Sequence, residues 1–115
     1  MPYLGLGTST KMLQTRRPDV VKVLRALVDA SNWMRTHPDE TTAILAQELK
    51  ITPDLARPAV DRMLPLVSDD FEPPVDGIAE ALQNQADLVG KPVAAKAEDV
   101  VDTGPLREAR AQAGR

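Results

Sequence analysis

The stretch from Arg17 to Arg35, RPDVVKVLRALVDASNWMR, constrains the fold of this chain more than any other. It is the longest uninterrupted helical pattern, and Pro18 opens it at a position where a missing N–H costs nothing. The polar residues Lys22, Arg25, Asp29, Asn32 and Thr36 are spaced three or four apart and so fall on one narrow line. Almost everything off that line is apolar or small, from Val20 and Val21 through Leu24 and Leu27 to Trp33 and Met34. A surface helix of a small domain has an apolar stripe over roughly a third of its circumference. This helix asks for cover over more than half. It is either the centre of a compact bundle or a helix of a larger protein, buried on two sides.

Three helix starts are written almost alike: Arg17-Pro18-Asp19, His37-Pro38-Asp39 and Thr52-Pro53-Asp54. Each puts proline at the first helical position and an aspartate in the first turn, where the helix dipole favours negative charge. The starts lie 20 and 15 residues apart, so they are repeated punctuation and no repeat architecture. Glu40, three residues past His37, stands in the reciprocal position of a capping box.

The expected order is a short extended strand over Tyr3 to Thr8, then a short helix to about Thr15 capped by the hydroxyls of Thr8, Ser9 and Thr10. Glycines at 5 and 7 would let a neighbouring element pass closely over that strand. Helices follow over Arg17–Arg35, from Pro38 to about Leu49 with Thr42, Leu45, Ala46 and Leu49 inside, and from Pro53 to about Leu64 with Leu55, Ala59, Val60 and Met63 inside. Pro58 sits in the third pattern, where it removes a backbone bond or forces a kink at a cost of ~3 kcal/mol. Leu64-Pro65-Leu66-Val67 reads as a stop and a short extended piece, followed by an acidic, proline-rich loop to Pro74. A further helix runs from about Val75 to Val89 with Ile78, Ala81, Leu82, Gln85, Ala86 and Val89 on its inner face. Gly90 ends it, and Pro92 prevents a restart. Residues 91–102 read as irregular, and Thr103 to about Ala111 as a last short helix. The fold class is therefore mainly α, four to six helices with one short N-terminal strand, in a single helical region over 1–115.

The chemistry offered is sparse. There is no cysteine, hence no disulfide and no thiolate nucleophile, and one histidine, His37, which has no partner of metal-ligand spacing. No Ser/His/Asp arrangement or nucleophile elbow is present, so no catalytic residue, metal or cofactor is expected and the chain reads as no enzyme. Gly5-Leu6-Gly7 lacks the third glycine and the helix-opening context of a dinucleotide loop. Asp69-Asp70-x-Glu72 lacks the alternating oxygen ligands of a calcium loop. No apolar run approaches a membrane span, and the N-terminus shows no signal peptide, so the chain as written is expected in the cytoplasm.

Charge is asymmetric: residues 1–37 carry six Lys and Arg against Asp19 and Asp29, a net +4, and the rest carry eight against fifteen, a net −7. Thr41 to Thr52 and the helix after it have the look of a helix-turn-helix, which gives a second reading: a small DNA-binding or helical interaction module using residues 41–63. Its recognition helix would begin Pro53-Asp54 and contain Pro58 and Asp61, which sets carboxylates where phosphates need donors. Nucleic acid is therefore not the expected partner.

Several segments, taken in order, carry a likeness. They are Lys11-Met12-Leu13 before Arg17-Pro18-Asp19-Val20-Val21, Trp33-Met34-Arg35-x-His37-Pro38-Asp39-Glu40, Ala46-x-x-Leu49 with Thr52-Pro53-Asp54-Leu55-Ala56, Leu64-Pro65-Leu66, Gly77-Ile78, Gln85-x-x-Asp87-Leu88, and the closing Asp99-x-Val101-Asp102-Thr103-x-x-Leu106. In that order and spacing the chain resembles the C-terminal part of a solute-binding protein of an ABC transporter, in the nitrate, sulfonate, taurine and pyrimidine-precursor binding family. The resemblance implies a helical portion of one lobe in a two-lobe α/β periplasmic-binding-protein fold. It also implies a non-enzymatic role in capturing a small anionic or heterocyclic solute and passing it to a membrane permease, with the intact protein in the periplasm or cell envelope. The rest of lobe one and all of lobe two lie outside this sequence, and Pro58 departs from the family's usual helix. Ligand contacts in the family come mainly from those other parts, so the only candidates here are Gly5, Gly7 and Thr8 near a strand end. The apolar surplus of the central helix is then expected to meet the missing N-terminal lobes or a homo-oligomer partner.

Overall fold

The computed structural model describes residues 5–67 and 70–113, and within them the chain is helical with no strand. The helices are α1 (Thr10–Thr15), α2 (Arg17–Thr36), α3 (Pro38–Leu49), α4 (Pro53–Met63), α5 (Val75–Val89), α6 (Ala97–Val100) and α7 (Gly104–Ala113). Of the expected strand over Tyr3 to Thr8, the described part forms none: Gly5 to Ser9 is irregular and exposed, and the rest of that stretch lies outside the described residues. Seven helices replace the expected four to six, because a single turn, α6, forms inside the stretch read as irregular. Asp99 makes that turn by accepting the Lys96 N–H at 2.9 Å.

Local chemistry places the helix ends. The Ser9 hydroxyl accepts the Met12 N–H at 3.1 Å and starts α1. Proline stands in the first turn of α2, α3 and α4, as their sequences predict. Lys50 adopts a left-handed conformation (φ 54) to close α3, and the Ile51 N–H reaches back to the Ala46 carbonyl at 3.0 Å. Gly90 does the same for α5 at φ 71, the conformation that favours glycine. The capping box at His37 does not form: no side chain caps α3, because the imidazole turns back onto α2.

Pro58 sits inside α4 without ending it. It has no N–H to give the Asp54 carbonyl, but both residues are exposed, so the freed carbonyl faces water. Leu64–Leu66 is a 3₁₀ turn, where an extended piece was expected, because Pro65 at its start presets a helical φ.

The interior is divided. α2 packs chiefly on α7, α3 on α4, and α5 on α6. Val21 and Val28 of α2 and Pro105, Leu106 and Ala109 of α7 are buried in the first pair, and Ala46, Ala56 and Val60 in the second. Ala86 and Ala97 are buried in the third. Burial differs from expectation where a helix shows its outer side to water. Ala56 is buried on α4 in place of Leu55 and Ala59, and Leu49, Gln85 and Val89 are exposed. None of the described helices is long and apolar enough to cross a membrane.

These pairs do not close into one globule. The radius of gyration is 17.0 Å over a body of 46 × 36 × 22 Å; a compact chain of this length has about 13 Å. Its accessible surface is 8605 Å², whereas a folded monomer of this mass exposes about 6,200 Å².

Candidate functional site

Gly7 and Thr8 line a small cleft of about 240 Å³ where the N-terminal segment crosses the start of α2. Leu6, Met12, Val20 and Val23 make its apolar wall, and Arg16 and Asp19 its polar end. Arg16 is committed to Asp19 through Nε and Nη2, both at 2.8 Å, so an anion entering the cleft competes with a carboxylate already in place. Gly5 lies outside the cleft. A Cβ added to Gly5 or Gly7 would meet nothing within 4 Å, so no element passes closely over these glycines, contrary to the sequence expectation.

A wider groove of about 900 Å³ runs between α5 and residues 90–98. Asp76, Asp87 and Glu98 line it together with Lys91 and Lys96, three acids against two bases, with no nucleophile and no histidine. Asp87 is also held by the Gln83 amide at 2.9 Å. This arrangement has polar groups without the convergence on one point that binding a small polar molecule requires.

Glu72 of the acidic loop is paired with cations of the same chain. Asp69 lies outside the described residues. Asp70 Oδ1 accepts the Glu72 N–H at 2.9 Å across Phe71, which stands at φ 56. Glu72 Oε1 receives Arg107 Nε at 3.3 Å and Arg110 Nη1 at 3.7 Å from α7. Among the described residues no group of three or more His, Cys, Asp or Glu could hold a metal ion.

The α3–α4 pair has the tight turn that its sequence suggests, but one of its three cations is held by two of its own carboxylates. Arg57 reaches from α4 to Asp39 at the start of α3 and to Asp61 one turn on. The hydrogen bond to Asp39, then that to Asp61, raises its pKa further above the ordinary arginine range. Residues 38–63 carry Asp39, Glu40, Glu48, Asp54 and Asp61 against Lys50, Arg57 and Arg62. A phosphate backbone meets no free basic stripe here.

What remains is a surface without chemistry and without cover. α7 takes the Val21–Val28 side of α2, and the opposite side is open: Val23, Leu27 and Trp33 are 51%, 44% and 39% exposed, with Ala26 and Ala30 exposed between them. Trp33 lies on this side with its ring stacked on His37, centroids 4.6 Å apart and planes 8° from parallel. The i,i+4 spacing of Trp33 and His37 was the sequence signal for that stack. Nothing in the sequence signalled the pairing of Glu72 with Arg107, 35 residues away.

No protein-family model, no curated protein and no solved structure matches this chain.

Proposed function

We propose that this chain is the C-terminal helical part of one lobe of an ABC-transporter solute-binding protein, of the nitrate, sulfonate, taurine and pyrimidine-precursor kind. The carrying observation is the surplus surface. The chain exposes 8605 Å², about 2,400 Å² more than a compact monomer of its mass. Part of that surplus is the apolar side of its longest helix. A helix of this kind is designed for two neighbours. α7 is one, and the body of the lobe is the other.

In this reading the chain catalyses nothing and holds no cofactor. It supports the lobe that closes on a small anionic or heterocyclic solute, and the intact protein hands that solute to its permease. The solute contacts belong mostly to the rest of the protein. This chain contributes at most the segment carrying Gly5, Gly7 and Thr8, which runs along the edge of α2.

A chimera tests the proposal. The corresponding C-terminal segment of a taurine- or nitrate-binding protein is replaced by this chain, and solute binding is followed by calorimetry. The expected result is a folded chimera that binds its parent's solute, while the isolated chain shows no saturable binding of nitrate, alkanesulfonates or thiamine-precursor pyrimidines. Micromolar binding by the isolated chain, or a chimera that folds without binding, overturns it.

A further inference from the structure

The helices fall into two groups. α1, α2, α3, α4 and α7 are joined as neighbours through α2, whereas α5 packs on α6 and on no other helix to a comparable extent. The interior of this α5–α6 arm is small: Ala86 and Ala97 are the side chains its helices bury. The chain enters the arm through residues 70–74 and leaves it through 101–103, both non-helical. Glu72 stands in the first crossing and bonds back to the larger group. Its Oε1 receives Arg107 Nε at 3.3 Å and lies 3.7 Å from Arg110 Nη1, both on α7. α7 is itself fixed to α2, by packing and by Arg17 on Glu108 at 3.4 Å. Before Glu72 comes Phe71 at φ 56, a backbone state that a bulky residue holds only under constraint. After it, Pro73 and Pro74 lead directly into α5, and two residues of fixed φ carry the orientation of Glu72 to that helix.

We propose that Glu72 is a salt-sensitive latch. Bound to Arg107 and Arg110 it sets the α5–α6 arm in one orientation, and when the ion pair opens the arm turns as a unit about Phe71 and residues 101–103. The latch can open because all three of its side chains reach water. An ion pair in that setting contributes little and is weakened by salt. At about 1 M salt the screening length is roughly 3 Å, no longer than the bond itself. Helix packing between arm and body offers little further resistance, and opening lets Phe71 return to an ordinary φ. A few loop residues that absorb a backbone change are what a hinge requires. The groove of about 900 Å³ is lined by residues of the arm alone, from Val75 to Glu98, so it travels with the arm and keeps its shape. The inference is independent of the proposed function, since it concerns two groups of helices within this chain.

The chain lacks cysteine, so spin labels can be placed at chosen positions. Gln47→Cys on α3 with Glu80→Cys on α5 measures the arm against the body, and Glu80→Cys with Glu98→Cys on α6 measures the arm against itself. All three positions are exposed. Double electron–electron resonance on the 47–80 pair is expected to give one narrow distance peak at low salt. That single peak should be lost at about 1 M salt, and lost at low salt when Glu72→Gln is added. The 80–98 distance and the helix content by circular dichroism should stay as they were. Reversing both sides, Glu72→Arg with Arg107→Glu and Arg110→Glu, should bring the narrow 47–80 peak back. A 47–80 distribution already broad at low salt overturns the inference, as does one that stays narrow with Glu72→Gln or stays broad after the reversal. If the 80–98 distance broadens too, or helix is lost, the arm unfolds and does not turn, which also overturns it. None of those outcomes touches the solute-binding chimera.

Discussion

The imidazole of His37 lies flat against the indole of Trp33, 4.6 Å between centroids, while its Nδ1 sits 2.8 Å from the Trp33 carbonyl and 2.8 Å from Thr36 Oγ1. One residue thus ends α2, begins α3 and covers one face of the only tryptophan. The hydrogen bond to a carbonyl makes Nδ1 the protonated nitrogen. Removing the ring exposes the indole and frees the last turn of α2. In dilute solution His37→Ala should shift tryptophan emission to the red and cost about 1 kcal/mol of stability, typical of a stacked pair. Unchanged emission would show that the ring is not covered in solution.

Ser31 contradicts its surroundings. It is 2% exposed on α2, and its hydroxyl has no hydrogen-bond partner among the described residues. An unsatisfied buried hydroxyl costs roughly 1–3 kcal/mol, and alanine is also the better helix former. Ser31→Ala is expected to raise the urea midpoint with no change in slope. A lower midpoint would mean that the hydroxyl is bonded in solution.

Local grammar made much of this architecture readable. Proline and aspartate marked the beginnings of α2, α3 and α4, Gly90 marked the end of α5, and the narrow polar line of α2 announced a helix with more apolar surface than α7 covers. The strand over Tyr3 to Thr8 could not be judged this way, because a strand exists only when something pairs with it. Burial of Ala56 in place of Leu55 depends on how α4 is rotated against α3, which propensity does not encode. The Glu72 contacts with Arg107 and Arg110 join residues far apart in sequence. Of the candidate site, Gly7 and Thr8 do border a cleft, but Gly5 does not, and the chemistry around them is a closed ion pair.

Pro58 offers a direct stability test. It occupies the middle of α4, exposed, where alanine would restore one backbone bond and a favourable propensity. An interior proline costs about 3 kcal/mol relative to alanine. Pro58→Ala should therefore stabilise the chain, by an amount approaching that figure if α4 stays straight. Thermal denaturation decides: a melting temperature that falls would show that the proline is needed to seat α4 on α3.

The helix pair of residues 38–63 allows the sharpest test of the rival reading. Arg57, one of three basic residues in the pair, is clamped by Asp39 and Asp61. Asp54 stands in the first turn of α4, where a recognition helix presents its donors. Non-specific DNA affinity grows steeply as salt falls, because bound counterions are released from the duplex. If α4 were a recognition helix, a gel shift at low ionic strength would reveal it even without the right sequence. The expected outcome is no shift for the native chain. The double change Asp39→Asn with Asp61→Asn frees Arg57 and removes two negative charges, so any latent affinity should appear there first. Retarded DNA with the native chain, lost on adding salt, would overturn this conclusion and restore the α3–α4 pair as a nucleic-acid interface.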